Sequence, residues 1–417
     1  MKLRNSFNWQ NIIGPNHLGI FNWRESLLVF LLIIQIFFNP FPGPTAIHET
    51  AFYISVCLFF FFVVRKELYL YDWGTPVIIP MIIFLLWGII SCFGALSPTN
   101  SLHDVYAHWF KYLLFFLISV NLLTTKKRLL LYLWIVLIST TMFCLIEITD
   151  FYILSGEPFT KKLNYLLPRE IPTNVIGTIT IFGFLMGTWL STTFSKIGMR
   201  AGTLLCVAVT AVTTFLTNTR SSFLAMVVSI SFLSLKNKKA LLGLAVVIGL
   251  AFLIMQGRIA PATLWAKIHY DDRVQIWRTY WEIIKDHPIK GIGFGMQSLY
   301  NEEFLWKYNQ RVPEHLRNKD VYYAPHNIFV DTATRTGLIG LLFYCAILVG
   351  LYKISWRLYR YGKSNFIRNG GIFLVAALTA LIIQGIFENT ASGPPLGIFF
   401  MIASLLVILR HININTL

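Results

Sequence analysis

Four short stretches of this chain hold residue types suited to chemistry at a polar surface. The first is Tyr322-Tyr323-Ala324-Pro325-His326-Asn327, immediately before a long apolar run. Pro325 keeps Ala324 out of the helical region and suits a helix start, so His326 is expected in the first helical turn. An imidazole at such a boundary is reachable by solvent and has the chemistry of a general base, although a lone interfacial histidine is more often a bystander. The second is Thr217-Asn218-Thr219-Arg220-Ser221-Ser222, a turn between two apolar runs. Its Arg220 either snorkels to lipid headgroups or points a guanidinium at a phosphate.

The third stretch, residues 264–284, has helical periodicity. At about 100° per residue, Trp277, Tyr280 and Ile284 each fall within about 40° of Arg273, and Arg278 lies about 140° from it. An arginine inside an aromatic stripe belongs either to an interfacial helix or to a site that needs positive charge. The fourth is His287-Pro288-Ile289-Lys290-Gly291-Ile292-Gly293-Phe294-Gly295. Glycine at alternate positions permits close backbone approach. No Gly-Lys-Ser/Thr follows, so it is no nucleotide-binding P-loop, and a tight turn back to the protein body is the default. Asp331 and Arg335, four apart on one helix face away from His326, read as an internal ion pair.

The elements that must position these residues are membrane spans. Of the 417 residues, 56% are hydrophobic and only 13% charged, with 16% aromatic. The mean hydropathy is +0.62. Soluble domains carry roughly 25% charged residues, so a water-soluble globule is excluded, and so is a disordered chain. Stretches of roughly 20 apolar residues occur near 25–39, 47–64, 74–95, 108–123, 129–148, 173–195, 199–216, 221–235, 239–256, 327–352, 371–388 and 397–410. These runs are continuous rather than alternating, which predicts helices rather than a barrel. The expected fold is an all-α polytopic membrane protein of about 12 transmembrane helices. Residues 1–256 hold the first nine, 257–325 a large external loop with amphipathic helices, and 326–417 the last three.

The net charge of +16 points to nucleic acid only if the basic residues ignore topology. They do not. Lys and Arg concentrate at 2–24, 65–66, 126–128, 196–200, 236–239 and 353–368, whereas 40–46, 96–107 and 389–396 hold none. The positive-inside rule then places both termini in the cytoplasm and loop 257–325 outside. No cleavable leader is evident in the first twenty residues, so the first span is expected to serve as its own insertion signal. All five cysteines fall in apolar segments, so an external disulfide or zinc site is not expected.

Taken together, the T-x-T-R-S-S-x-L turn (217–224), the D-R-x-x-x-W helix running into H-P-I-K-G-I-G-F-G (272–295), and A-P-H-N followed by R-T-G-L-I-G (324–340) resemble the O-antigen ligase superfamily. That resemblance implies a bacterial inner-membrane glycosyltransferase with a GT-C-like fold and an active site facing the periplasm. It further implies transfer of a glycan from undecaprenyl pyrophosphate onto lipid A–core oligosaccharide, inverting and without metal or cofactor. By the same resemblance His326 is the base, Arg220 and Arg273 neutralise the departing pyrophosphate, and Asn327, Arg278, Lys290 and Trp277 bind substrate. O-antigen polymerases and protein O-oligosaccharyltransferases share these motifs and differ in acceptor. The rival of another class is a polysaccharide or lipid transporter, towards which Asp331, Arg335 and Glu388 lean.

Overall fold

The computed structural model describes residues 23–68, 76–159, 161–164, 172–234, 272–317 and 323–415. Every regular element among them is helical. The chain runs through α1 (Trp23–Phe38), α2 (Thr45–Val64), α3 (Ile78–Ser91), α4 (Pro98–Leu122), α5 (Lys126–Leu154), α6 (Thr173–Ser191), α7 (Ile197–Leu216) and α8 (Arg220–Ser234). Two shorter helices follow, α9 (Asp272–Asp286) and α10 (Glu302–Asn309), and then α11 (Ile328–Tyr361), α12 (Asn365–Phe387) and α13 (Gly393–Asn415). Among the described residues, eight helices are long and apolar enough to cross a membrane: α2, α4, α5, α6, α7, α11, α12 and α13. The helices α3 and α8 are shorter and also apolar. The segment expected at 239–256 lies outside the described residues, as do 264–271 of the predicted amphipathic helix.

Apolar composition makes the helices and polar residues mark their starts. Thr125, Ser364 and Asn301 each accept a backbone N–H from the first turn of α5, α12 and α10, which satisfies donors that the helix leaves unpaired. Within the bundle, α12 and α13 are buried on most sides, while α2 and α7 expose much of their apolar surface. Side chains of the latter kind face lipid, where exposed Leu and Phe cost nothing.

The helix α11 is the element that organises the site, and Gly337 breaks it, with φ 74° and ψ 178°. A break frees backbone carbonyls, and each needs a donor. Thr334 O accepts from Ile292 N at 2.9 Å and Arg335 O from Gly293 N at 3.1 Å. Thr336 O accepts from the Trp87 indole at 2.8 Å, and Leu338 N donates to Pro288 O at 2.7 Å. The glycine-rich turn therefore docks into the break in α11. A Cβ at Gly291 would lie 2.4 Å from Thr334 O, and one at Gly337 2.0 Å from Ile289 O. The turn is also tied to α4, where Ser101 Oγ, Asp104 Oδ2 and Asn100 Oδ1 accept from the N–H groups of Gly295, Met296 and Gln297. The expectation of a turn back to the protein body holds, and its acceptor is the R-T-G-L motif.

The stretch 257–325 is less loop-like than the sequence suggests. Its described part packs Ile276, Tyr280, Ile283, Ile292, Leu299, Leu305 and Tyr308 into a small core of their own.

Candidate functional site

The site forms where α6, α8 and α11 begin and α12 ends. His326 stands one residue before Asn327, which occupies the cap of α11 and accepts from Phe329 N and Val330 N. The cap moves the start of the helix one residue beyond the predicted place, so His326 lies outside the first turn. Its φ of 46° is a left-handed conformation that non-glycine residues adopt at some cost. The preceding backbone is pinned by Trp277, whose indole donates to Pro325 O at 2.8 Å. The imidazole is thus carried on backbone fixed from both sides.

The group that gathers the site is Glu388, the residue at which α12 ends. His326 Nδ1 lies 3.0 Å from Glu388 Oε2. Arg273 Nη2 lies 3.6 Å from Glu388 Oε1, and its guanidinium sits over the Phe387 ring at 5.6 Å. Asn174, in the first turn of α6, donates to the same Oε1 and accepts at 3.5 Å from Ser221 Oγ. Arg220, exposed at the first position of α8, is therefore one residue from the polar chain that ends on Glu388. Ser222, next along, accepts from Gln384 of α12 at 2.8 Å. The T-N-T-R-S-S turn and the end of α12 are sewn together.

The carboxylate can only accept, so the imidazole presents Nδ1–H to it and leaves the Nε2 lone pair for another proton. That is the arrangement of an oriented general base, with the side chain of His326 37% exposed and so open to a substrate. Arg273 is 36% exposed, a cation held beside the carboxylate.

The predicted residues divide. His326 and Arg273 converge on Glu388, and Arg220 stands exposed one residue before Ser221, which bonds Asn174. Trp277 holds the His326 backbone, and Asn327 spends its side-chain oxygen on the helix cap. Lys290 is exposed on the docked glycine turn. Arg278 turns Nη1 into the protein with no hydrogen-bond partner among the described residues. Asp331 and Arg335 pair at 3.0 Å with side chains 1% and 4% exposed, and Arg335 also donates to Phe294 O. They brace the glycine turn from beneath.

Two members of the site were not read as such from the sequence. Glu388 is set there on the transporter side as an acid near a span, yet it contacts the imidazole. Asn174 carries no signal beyond being polar at a span start. Behind the site, Asp286 joins α9 to α10. Hydrogen bonds from Arg311 Nη1 at 2.6 Å and Tyr308 Oη at 3.0 Å hold its carboxyl below the usual range. Burial pushes the Tyr280 hydroxyl well above the ordinary phenol range.

A family model described as O-antigen ligase matches residues 205–345. The match runs from α7 through the glycine turn and the His326 segment into α11, and it supports the superfamily resemblance read from the motifs. No curated protein matches the chain.

Proposed function

Proceeding from the O-antigen ligase match over residues 205–345, we propose that the protein is a membrane glycosyltransferase. It transfers an undecaprenyl-pyrophosphate-linked glycan onto lipid A–core oligosaccharide at the periplasmic face of the inner membrane. The observation that carries this reading is the convergence of imidazole, guanidinium and amide on the single carboxylate of Glu388.

In this reading His326 Nε2 takes the proton of an acceptor hydroxyl as that oxygen attacks the anomeric carbon of the donor. Glu388, hydrogen-bonded to Nδ1, steadies the imidazolium that forms. The bond from the anomeric carbon to the pyrophosphate oxygen breaks on the opposite face, so configuration inverts. The electron pair leaves with the lipid pyrophosphate, which needs no protonating acid. Arg273 and Arg220 meet the growing negative charge, a task suited to the planar guanidinium fork. The chemistry thus asks for a base and cations, which these side chains supply.

The test is transfer in a purified system with undecaprenyl-pyrophosphate glycan, lipid A–core and a chelator. Ligated product from the wild type, and its loss in His326→Ala at equal folded yield, is the expected result. A fully active His326→Ala would remove the base assignment. Transfer to growing glycan or to protein serine, with none to core, would make the protein a polymerase or an oligosaccharyltransferase of the same superfamily.

A further inference from the structure

The groups around Glu388 supply a base and cations but nothing that holds a sugar ring. Two tyrosines beside them have the required shape and setting. Tyr300 ends the 3-10 turn Met296–Tyr300, and Tyr323 stands three residues before His326. Their ring centroids are 5.5 Å apart with planes inclined at 45°. Tyr300 is 58% exposed and Tyr323 41%. An aromatic ring normally buries most of its apolar face, so two adjacent open rings mark a surface available for a ligand.

The setting is aqueous rather than lipidic. Gln297, Asn301, Glu302 and Glu303 beside Tyr300 are all exposed, so the ring stands among hydrated polar groups. Both rings also ride on anchored backbone. The turn bearing Tyr300 is bonded to Asp104 and Asn100 of α4 through Met296 N and Gln297 N. The strand of chain after Tyr323 is pinned at Pro325 by Trp277. A surface held this way loses little freedom on binding.

We propose that Tyr300 and Tyr323 form a stacking platform for a pyranose ring of the acceptor glycan. This rests on the transferase reading above. A pyranose offers a face of C–H groups to the electron-rich ring face, while its hydroxyls reach the phenol tips and water. Three residues of chain span at most about 11 Å, so an oligosaccharide seated on Tyr323 extends to the imidazole of His326. An uncharged pyranose of the acceptor fits the tyrosines better than the donor's pyrophosphate does. The reacting end of the donor carries pyrophosphate, which Glu302 and Glu303 beside Tyr300 repel and which Arg273 and Arg220 attract.

Steady-state transfer by the full chain in detergent tests the platform, with Tyr300→Ala, Tyr323→Ala and the corresponding Phe variants. The Ala variants should raise the acceptor KM about three- to tenfold, leaving kcat and the donor KM near wild type. The Phe variants, which keep the ring face, should retain the wild-type acceptor KM. An unchanged acceptor KM in both Ala variants overturns the platform, as does a shift confined to the donor KM. A second readout separates this idea from the activity itself. Saturation-transfer NMR with free core oligosaccharide released from lipid A should show binding to the wild type and to the double Phe variant, and its loss in the double Ala variant. Binding with no transfer to core would fault the transferase reading and keep the platform. No binding by the wild type would overturn the platform.

Discussion

Glu388 is the side chain whose contacts explain most about the site. It receives His326, Arg273 and Asn174 on two oxygens, so its removal disturbs base and cation together. Glu388→Gln keeps size but offers an amide whose N–H can face Nδ1. The imidazole then favours the tautomer with its proton on Nε2, where the acceptor hydroxyl must be met. We expect kcat for glycan transfer to fall by about 10²- to 10⁴-fold with little change in melting temperature, because Glu388 lies at a helix end and is partly exposed. Glu388→Asp, a shorter acceptor, should retain more activity than the Gln variant. Equal activity of wild type and Glu388→Gln would show that the 3.0 Å contact does not set the state of the base. Asn174 tests the same network from the other side: it acts through Glu388 rather than on substrate.

At the scale of elements, two dockings hold the site in place. The first is the seat of the glycine turn in the break of α11. Gly337 adopts φ 74° and ψ 178°, a combination essentially confined to glycine that costs other residues roughly 1–3 kcal/mol. A methyl there also strikes Ile289 O. Gly337→Ala should therefore lower the melting temperature in detergent by several degrees, and should reduce activity by loosening α11 beneath His326. Gly43→Ala, with nothing within 4 Å of the added carbon and no positive φ, is the neutral control. Matching melting curves for the two variants would contradict the docking.

The second docking joins α9 to α10 through Asp286. Hydrogen bonds from Arg311 and Tyr308 depress its folded pKa relative to the unfolded chain. Its contribution is therefore complete above the ordinary aspartate range, near pH 4, and is lost as pH falls through the lower folded value. Asp286→Asn should raise amide exchange across 272–309 at pH 7. The difference from wild type should shrink once the medium is acid enough to protonate the native carboxyl. A difference that persists unchanged in acid would assign it to packing instead.

For the whole molecule, charge and site lie at opposite ends of the bundle. The connections between α6 and α7 and between α11 and α12 carry Lys196 and Lys363, and the first turn of α12 carries Arg368. At the other end lie the starts of α6, α8 and α11 and the end of α12, with Arg273 beside Glu388 and Arg220 at the start of α8. In the proposed orientation the +16 charge divides into a population suited to the cytoplasmic side and a smaller one that the transferase reading sets against an anionic substrate. The orientation we propose has both termini inside and the site outside. An impermeant maleimide added to sealed right-side-out vesicles should label Thr99→Cys, in the exposed start of α4, and should spare Lys127→Cys until the vesicles are opened. The reverse pattern would invert the topology and with it the face on which transfer occurs.

The helices were readable because their cause is local. Continuous apolar runs must satisfy their own backbone in lipid, and apart from 239–256, outside the described residues, each candidate segment falls on a helix. His326 and Arg273 stand out in the sequence because histidine after Ala-Pro and arginine in an aromatic stripe are conspicuous against an apolar chain. The pairing does not. Glu388 is 62 residues from His326 and Asn174 is 214 residues from Glu388, and no periodicity links positions so far apart. The same holds for the glycine turn and Gly337, whose shared purpose appears only when one backbone is laid against the other. The sequence by itself determined that long apolar helices recur along the chain and which polar side chains stand at their ends. Tertiary structure alone decided which carboxylate orients the imidazole, because that depends on how helix ends come together rather than on the residues of either helix.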